Sequence, residues 1–275
     1  MGGACLYGWL SSEDGIASGL SNGSFMVVEP SESHRERLET ELGVKCVSSI
    51  DDISGDSPVD MVLLAVKPQV LPDVLRDLSE SALFDENGTG ASSDLPIVLS
   101  IAAGISTSDI ESSLPYGVHV VRAMPNMPLQ VKHGATAVCG GCNASEEDIE
   151  VANDLFAALG TSHVVDESLI DAICAISGGG PAYVAYMIEA LRDAGASLGL
   201  EPELAESLAL ETVGGTYDTM AEKGLSAEEM RVSVCSPGGT TLAALSELDA
   251  AGFKSMFDDA MKAAVNRASE LREGA

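Results

Sequence analysis

The chain has 275 residues, 45% of them apolar, enough for one large or two medium domains with a substantial core. It carries 14 Lys and Arg against 43 Asp and Glu, a formal net charge of −29, which argues against nucleic acid as a partner because phosphate binding needs clustered cations. The six cysteines lack the density of a secreted disulfide scaffold, and no apolar run reads as a membrane span, so a cytoplasmic protein with reduced thiols, no metal and no membrane contact is expected.

The N-terminal segment Gly2-Gly-Ala-Cys-Leu-Tyr-Gly-Trp-Leu10 passes from small to apolar residues, as does the helix that follows a Gly-x-Gly-x-x-Gly dinucleotide fingerprint. If Met1 and Gly2 fill its last two positions, the first strand and both leading glycines lie upstream. The expectation is then a chain that starts too late, unstable or inactive beside a version extended by a short strand and Gly-x-Gly. An ordinary N-terminal helix in another fold is the alternative.

Short β-rich runs follow at 25–29, 44–48, 59–66, 97–103, 119–124, 135–139 and 163–166, alternating with amphipathic stretches at 32–42, 69–79 and 145–159. Apolar strands alternating with helices give a mostly parallel sheet covered on both faces. The Gly/Ser-rich stretch at 87–93 reads as a surface loop. Beyond 169 the spacing turns helical, at 182–198, 202–222, 227–234 and 253–272. The expected fold class is α/β: a Rossmann-like domain over 1–166, lacking its first strand, and an all-helical domain over 167–275.

Three blocks carry chemistry. Ala65-Val-Lys-Pro68 lies directly after a strand, at the carboxyl edge where open α/β sheets bind ligands. Ser100-Ile-Ala-Ala-Gly104 and Arg122-Ala-Met-Pro-Asn-Met-Pro128 are strand ends whose small residues and prolines let a flat ring lie close to backbone. Ser177-Gly-Gly-Gly-Pro-Ala-Tyr183 and Cys235-Ser-Pro-Gly-Gly-Thr-Thr241 each open a helix, where glycines and hydroxyls make an anion site or simply a helix cap. Cys139-Gly-Gly-Cys142 has metal or redox spacing but no second ligand pair, and is read as incidental.

Taken in order, Ala-Val-Lys-Pro-Gln, Ser-Ile-Ala-Ala-Gly-Ile, Met-Pro-Asn, Leu-Ile-Asp-Ala, Ser-Gly-x-Gly-Pro-Ala-Tyr and Ser-Pro-Gly-Gly-Thr-Thr resemble pyrroline-5-carboxylate reductases from Gly2 to about Leu271. The resemblance implies reduction of 1-pyrroline-5-carboxylate to L-proline by NADPH, with NADH as an alternative, and a helical domain that forms a homodimer, often within a larger ring. It implies cofactor contacts at Met1, Gly2, Val66, Lys67, Ala103, Met124 and Asn126, and substrate contacts at Glu167, Thr240 and Thr241. Ser233 stands where some relatives have Asn.

Hydride attack is easier on a protonated imine, so Thr241 is expected at the ring nitrogen as the catalytic hydroxyl, with the backbone of Gly238, Gly239 and Thr240 at the carboxylate. Glu29 at a strand end favours a ribose 2′-hydroxyl, whereas Ser31, Ser33, His34 and Arg35 suit a 2′-phosphate. Two other readings remain. A β-hydroxyacid dehydrogenase shares the architecture but uses a lysine early in its first long helix, and 177–191 contains none. A nucleotide-sensing or assembly protein without activity would have no use for the Ser-Pro-Gly-Gly-Thr-Thr block.

Overall fold

The computed structural model describes residues 1–10, 20–53, 59–84 and 95–273, so the stretch at 87–93 lies outside the described residues. In chain order the first part runs α1 (Gly2–Leu10), β1 (Met26–Val28), α2 (Glu32–Leu42), β2 (Lys45–Val47), β3 (Met61–Leu64), α3 (Leu71–Ser79), β4 (Ile97–Ser100), α4 (Thr107–Ser112), β5 (Val120–Met124), β6 (Gly134–Gly140), α5 (Glu146–Ala157) and β7 (Gly160–Val164). Then come α6 (Ile170–Ile173), a π turn at Cys174–Gly178, α7 (Gly180–Ser197), α8 (Pro202–Lys223), α9 (Ala227–Ser233), α10 (Thr240–Ala250) and α11 (Phe253–Glu273).

β1 and β2 pair in parallel as a two-stranded sheet, and the other strands form a five-stranded sheet in the order β3-β4-β5-β6-β7. Among the described residues no strand hydrogen-bonds to the second edge of β1 or of β3. All ladders are parallel except β5–β6, where Arg122 pairs with Cys139.

Period-two alternation builds the core on both faces of the larger sheet. On β4, Leu99 faces a cluster with Cys5 and Trp9 of α1 and Ala152 and Phe156 of α5, whereas Val98 faces Leu71, Leu75 and Leu78 of α3 and Ile110 of α4. Each such fully buried Leu or Phe contributes about 1.5–3 kcal/mol. Trp9 stacks on Phe25 with ring centroids 6.1 Å apart, and its indole N–H donates to Leu155 O at 2.8 Å, so α1 is fixed to the sheet face it covers. Capping boxes start α4 at Ser106 with Asp109 and α5 at Ser145 with Asp148.

The chain forms two compact units: 1–179 together with 265–275, and 180–264. This division falls after Gly179, while the change in sequence periodicity falls at 166. The reason is that Ile170 is buried against Ala137 and Cys139 of β6, and Glu167 is bonded to β5 and α4, so the first helical turns belong to the sheet unit. In the second unit α7 and α8 meet through small residues, a Cβ on Gly195 falling only 2.8 Å from that of Ala205.

Candidate active site

The sheet unit gathers the expected dinucleotide contacts at the carboxyl ends of its parallel strands. The first helical bond of α1 is Cys5 N to Met1 O at 3.0 Å, so the amides of Gly2, Gly3 and Ala4 lack helical acceptors. A Cβ on Gly2 would sit 2.6 Å from the Cβ of Ala65, which places these amides beside the Ala65-Val66-Lys67 segment after β3. Val66 is half-buried against the α3 side of the core and Lys67 is exposed. Open amides, a glycine where a Cβ would collide, and a nearby ammonium fit a diphosphate.

At the end of β1, Glu29 accepts from Ser31 N at 2.9 Å, and Arg35 Nη1 donates to the carbonyls of Glu29 and Pro30, each at 2.8 Å. At the end of β5, Met124 is half-buried, and a Cβ on Gly178 would lie 2.8 Å from its Cε. Asn126 is buried and clamped: its amide donates to Ser177 O at 3.1 Å and its carbonyl oxygen accepts from Ala135 N at 2.9 Å. Asn126 therefore fastens the Ser177 turn to β6. Ala103 is exposed just before Gly104, whose φ of 76° suits a residue without a Cβ.

Glu167 has a different setting from the substrate contact expected of it. Its Oε1 accepts from Thr107 N at 2.8 Å and from Arg122 Nη1 at 3.1 Å, and its Oε2 accepts from Thr107 Oγ1 at 2.7 Å. Burial opposes ionisation here, but the Thr107 hydroxyl and amide and the Arg122 guanidinium outweigh it and hold the carboxyl below its ordinary value. Arg122 and Thr107 are functional neighbours that motif reading passed over. The signal was present: a charge inside the apolar strand Val120–Met124 must find a buried partner.

The Cys139 and Cys142 spacing dissolves in the structure. Burial pushes the Cys139 thiol up to about 11, while exposed Cys142 donates its thiol to Glu111 at 3.2 Å.

The second unit carries the other set. After α9 the turn Ser236-Pro-Gly-Gly leads into α10 with Gly238 at φ 70° and Gly239 as N-cap, where a Cβ would collide with Ser236 Oγ. The first bond of α10 is Ala243 N to Gly239 O at 3.3 Å, leaving the amides of Thr240, Thr241 and Leu242 open. Neither threonine caps the helix, and among the described residues neither hydroxyl has a protein partner. Ser233 is exposed and bonds back to Met230 O at 2.8 Å, so its hydroxyl is committed to its own helix.

A sheet with helices on both faces, open helix-start amides at its strand ends and a separate helical unit together define an oxidoreductase of the dinucleotide-binding, Rossmann-like class. The family model for pyrroline-5-carboxylate reductase dimerisation matches residues 167–271. A pyrroline-5-carboxylate reductase of Synechocystis is 38% identical over 246 residues, covering 90% of this chain and 87% of that protein. The solved pyrroline-5-carboxylate reductase of Coxiella burnetii matches with a TM-score of 0.83 at 32% identity, over 98% of this chain and 94% of that one. Plasmodium falciparum pyrroline carboxylate reductase, solved with NADP bound, matches with a TM-score of 0.80 at 27% identity, over 99% and 94%. The chain belongs to the pyrroline-5-carboxylate reductase family.

Proposed function

We propose that this protein reduces 1-pyrroline-5-carboxylate to L-proline, with NADPH as donor and NADH as a second one. The observation that carries the reading is the Gly238-Gly239-Thr240-Thr241 turn, which offers open amides and two uncommitted hydroxyls at one helix start. When bound, the reduced dinucleotide supplies a hydride from nicotinamide C4 to the C=N carbon. The ring nitrogen, protonated beforehand, then becomes the secondary amine.

The remaining work falls to the chain. Thr241 Oγ1 holds the protonated ring nitrogen, and the backbone of Gly238, Gly239 and Thr240 holds the carboxylate. The amides of Gly2, Gly3 and Ala4 and the Lys67 ammonium hold the diphosphate, with Met1 beside them. Val66, Ala103 and Met124 flank the nicotinamide, and Asn126 and Glu167 act by positioning the loop and turn they clamp.

Exposed apolar side chains in the second unit, among them Tyr186, Leu204, Leu208 and Tyr217, support a homodimer through the helical domain, and a ring of such dimers follows from the same reading. They also explain one departure from expectation. The continuous stretch Glu167–Ser197 has the length and apolarity of a membrane span, 31 residues at a mean hydropathy of 1.2, although none was expected. A helix that buries its apolar residues against a second copy has the same composition. A cytoplasmic setting is supported by the six cysteines, all of them free.

The test is pyrroline-5-carboxylate-dependent oxidation of NADPH, with proline-dependent reduction of NADP+ at high pH as the reverse reaction. A folded protein that binds NADPH but turns over neither substrate would sink the proposal.

A further inference from the structure

The turn after β1 holds two sets of groups with opposite demands on the cofactor. Ser31 and Ser33 have their hydroxyls 3.2 Å apart, and Arg35 is tied to the strand end by its two 2.8 Å bonds to the Glu29 and Pro30 carbonyls. Hydroxyls, an amide and a guanidinium are the donors a phosphate monoester takes. Glu29 stands in the same turn with its carboxylate 30% exposed, and it already holds the Ser31 amide at 2.9 Å while His34 Nδ1 lies 3.9 Å from its Oε2. A carboxylate at this strand end accepts from a ribose 2′-hydroxyl. Toward a 2′-phosphate it is a like charge and a competitor for the same amide.

We infer that Glu29 sets the ratio of NADH to NADPH in this protein: it admits NADH by accepting from the 2′-hydroxyl, and it holds down NADPH by occupying Ser31 N beside the phosphate-accepting set of Ser31, Ser33 and Arg35. The inference rests on the dinucleotide reading above and names the residue that tunes it. The chain is strongly acidic overall, but a single carboxylate in contact range outweighs the diffuse field, because charges farther off than a Debye length are screened.

The test is equilibrium binding by titration calorimetry, on the full chain, of NADP+, NAD+, adenosine 2′,5′-bisphosphate and 5′-AMP. Glu29→Gln is expected to bind NADP+ and the bisphosphate roughly tenfold more tightly, the size of one like-charge contact near a surface, while NAD+ and 5′-AMP bind no better. Glu29→Asp keeps the charge and is expected to keep the wild-type preference. Adding Ser31→Ala and Ser33→Ala to Glu29→Gln is expected to remove the gain. Equal changes for NADP+ and NAD+ in Glu29→Gln, or none for either, overturn the inference while leaving the dinucleotide reading intact. Failure of the wild-type protein to bind either dinucleotide overturns both.

Discussion

Arg122 on β5 and Glu167, just beyond β7, form an ion pair at 3.1 Å in which the arginine side chain is only 4% exposed. The pair joins the middle of the sheet to the first turn of the helical stretch, and Thr107 at the start of α4 completes it. Breaking it removes a partner from a buried guanidinium whose Nε already lacks one.

Glu167→Gln is therefore expected to cost about 1–3 kcal/mol of stability near neutral pH, the range for losing one partner of a partly buried, hydrogen-bonded charge. Because the folded-state carboxyl lies below its ordinary 4.5, its stabilisation is complete above that value and disappears as pH falls through the lowered one. Urea unfolding across the acid range should show a flatter pH dependence for the variant in that window. If the two curves stay parallel and KM for pyrroline-5-carboxylate rises instead, Glu167 is a substrate contact.

How much of this was legible follows from the range of each signal. The alternation of Val98 and Leu99 between two faces is written in four consecutive residues, and so were most strands and long helices. β7 begins at Gly160 rather than 163, because Thr161 and Ser162 look like loop and pair only once Gly160 lies against Gly134. α4 spans six residues, too few for periodicity, and only its Ser106 and Asp109 capping box announced it. The clamps made by Asn126 and Glu167 reach partners 45 to 60 positions away, which no local pattern encodes. The break after Gly179 was hidden for the same reason, since Glu167–Ser197 reads as one continuous helical stretch.

The close approach of Gly2 to Ala65 gives a steric prediction. Gly2→Ala places a methyl 2.6 Å from the Ala65 Cβ and must push the start of α1 away from the Lys67 segment. Dinucleotide affinity is expected to fall by about tenfold, the cost of a misplaced anion site, with the midpoint of thermal unfolding little changed. Adding Ala65→Gly should restore affinity. A double variant as weak as the single one would show that the contact is unimportant.

Asp148 anchors α5 and reaches across to His119. Its Oδ2 accepts from Ser145 N and Oγ, both at 2.7 Å, and lies 2.8 Å from His119 Nδ1. Burial disfavours the charge, yet the Ser145 and His119 bonds together hold the carboxyl below its ordinary 3.8. Asp148→Ala should lower stability by about 1–3 kcal/mol through the lost cap and partner. The wild-type advantage is present above that pH and lost as pH falls through the lowered value. Thermal unfolding of both proteins at neutral and strongly acidic pH would measure it, and an undiminished difference in acid would contradict the assignment.

Thr241 bears the central chemical claim. Gly239, not a threonine, is the N-cap of α10, so removing the Thr241 hydroxyl leaves the helix start intact and isolates the effect on catalysis. Thr241→Val keeps the shape and loses the hydrogen bond to the ring nitrogen, for which a fall in kcat of about a hundredfold is expected, the usual size for a lost proton-handling group. Thr241→Ser should recover most of the rate. Replacement of Thr240 by valine should instead raise KM, because the backbone amides at this turn carry the carboxylate and the Thr240 hydroxyl only supports it. NADPH affinity, measured separately, should be unaffected in all three. A Thr241→Val enzyme that retains its kcat would move the proton to another group and remove the hydroxyl from the mechanism.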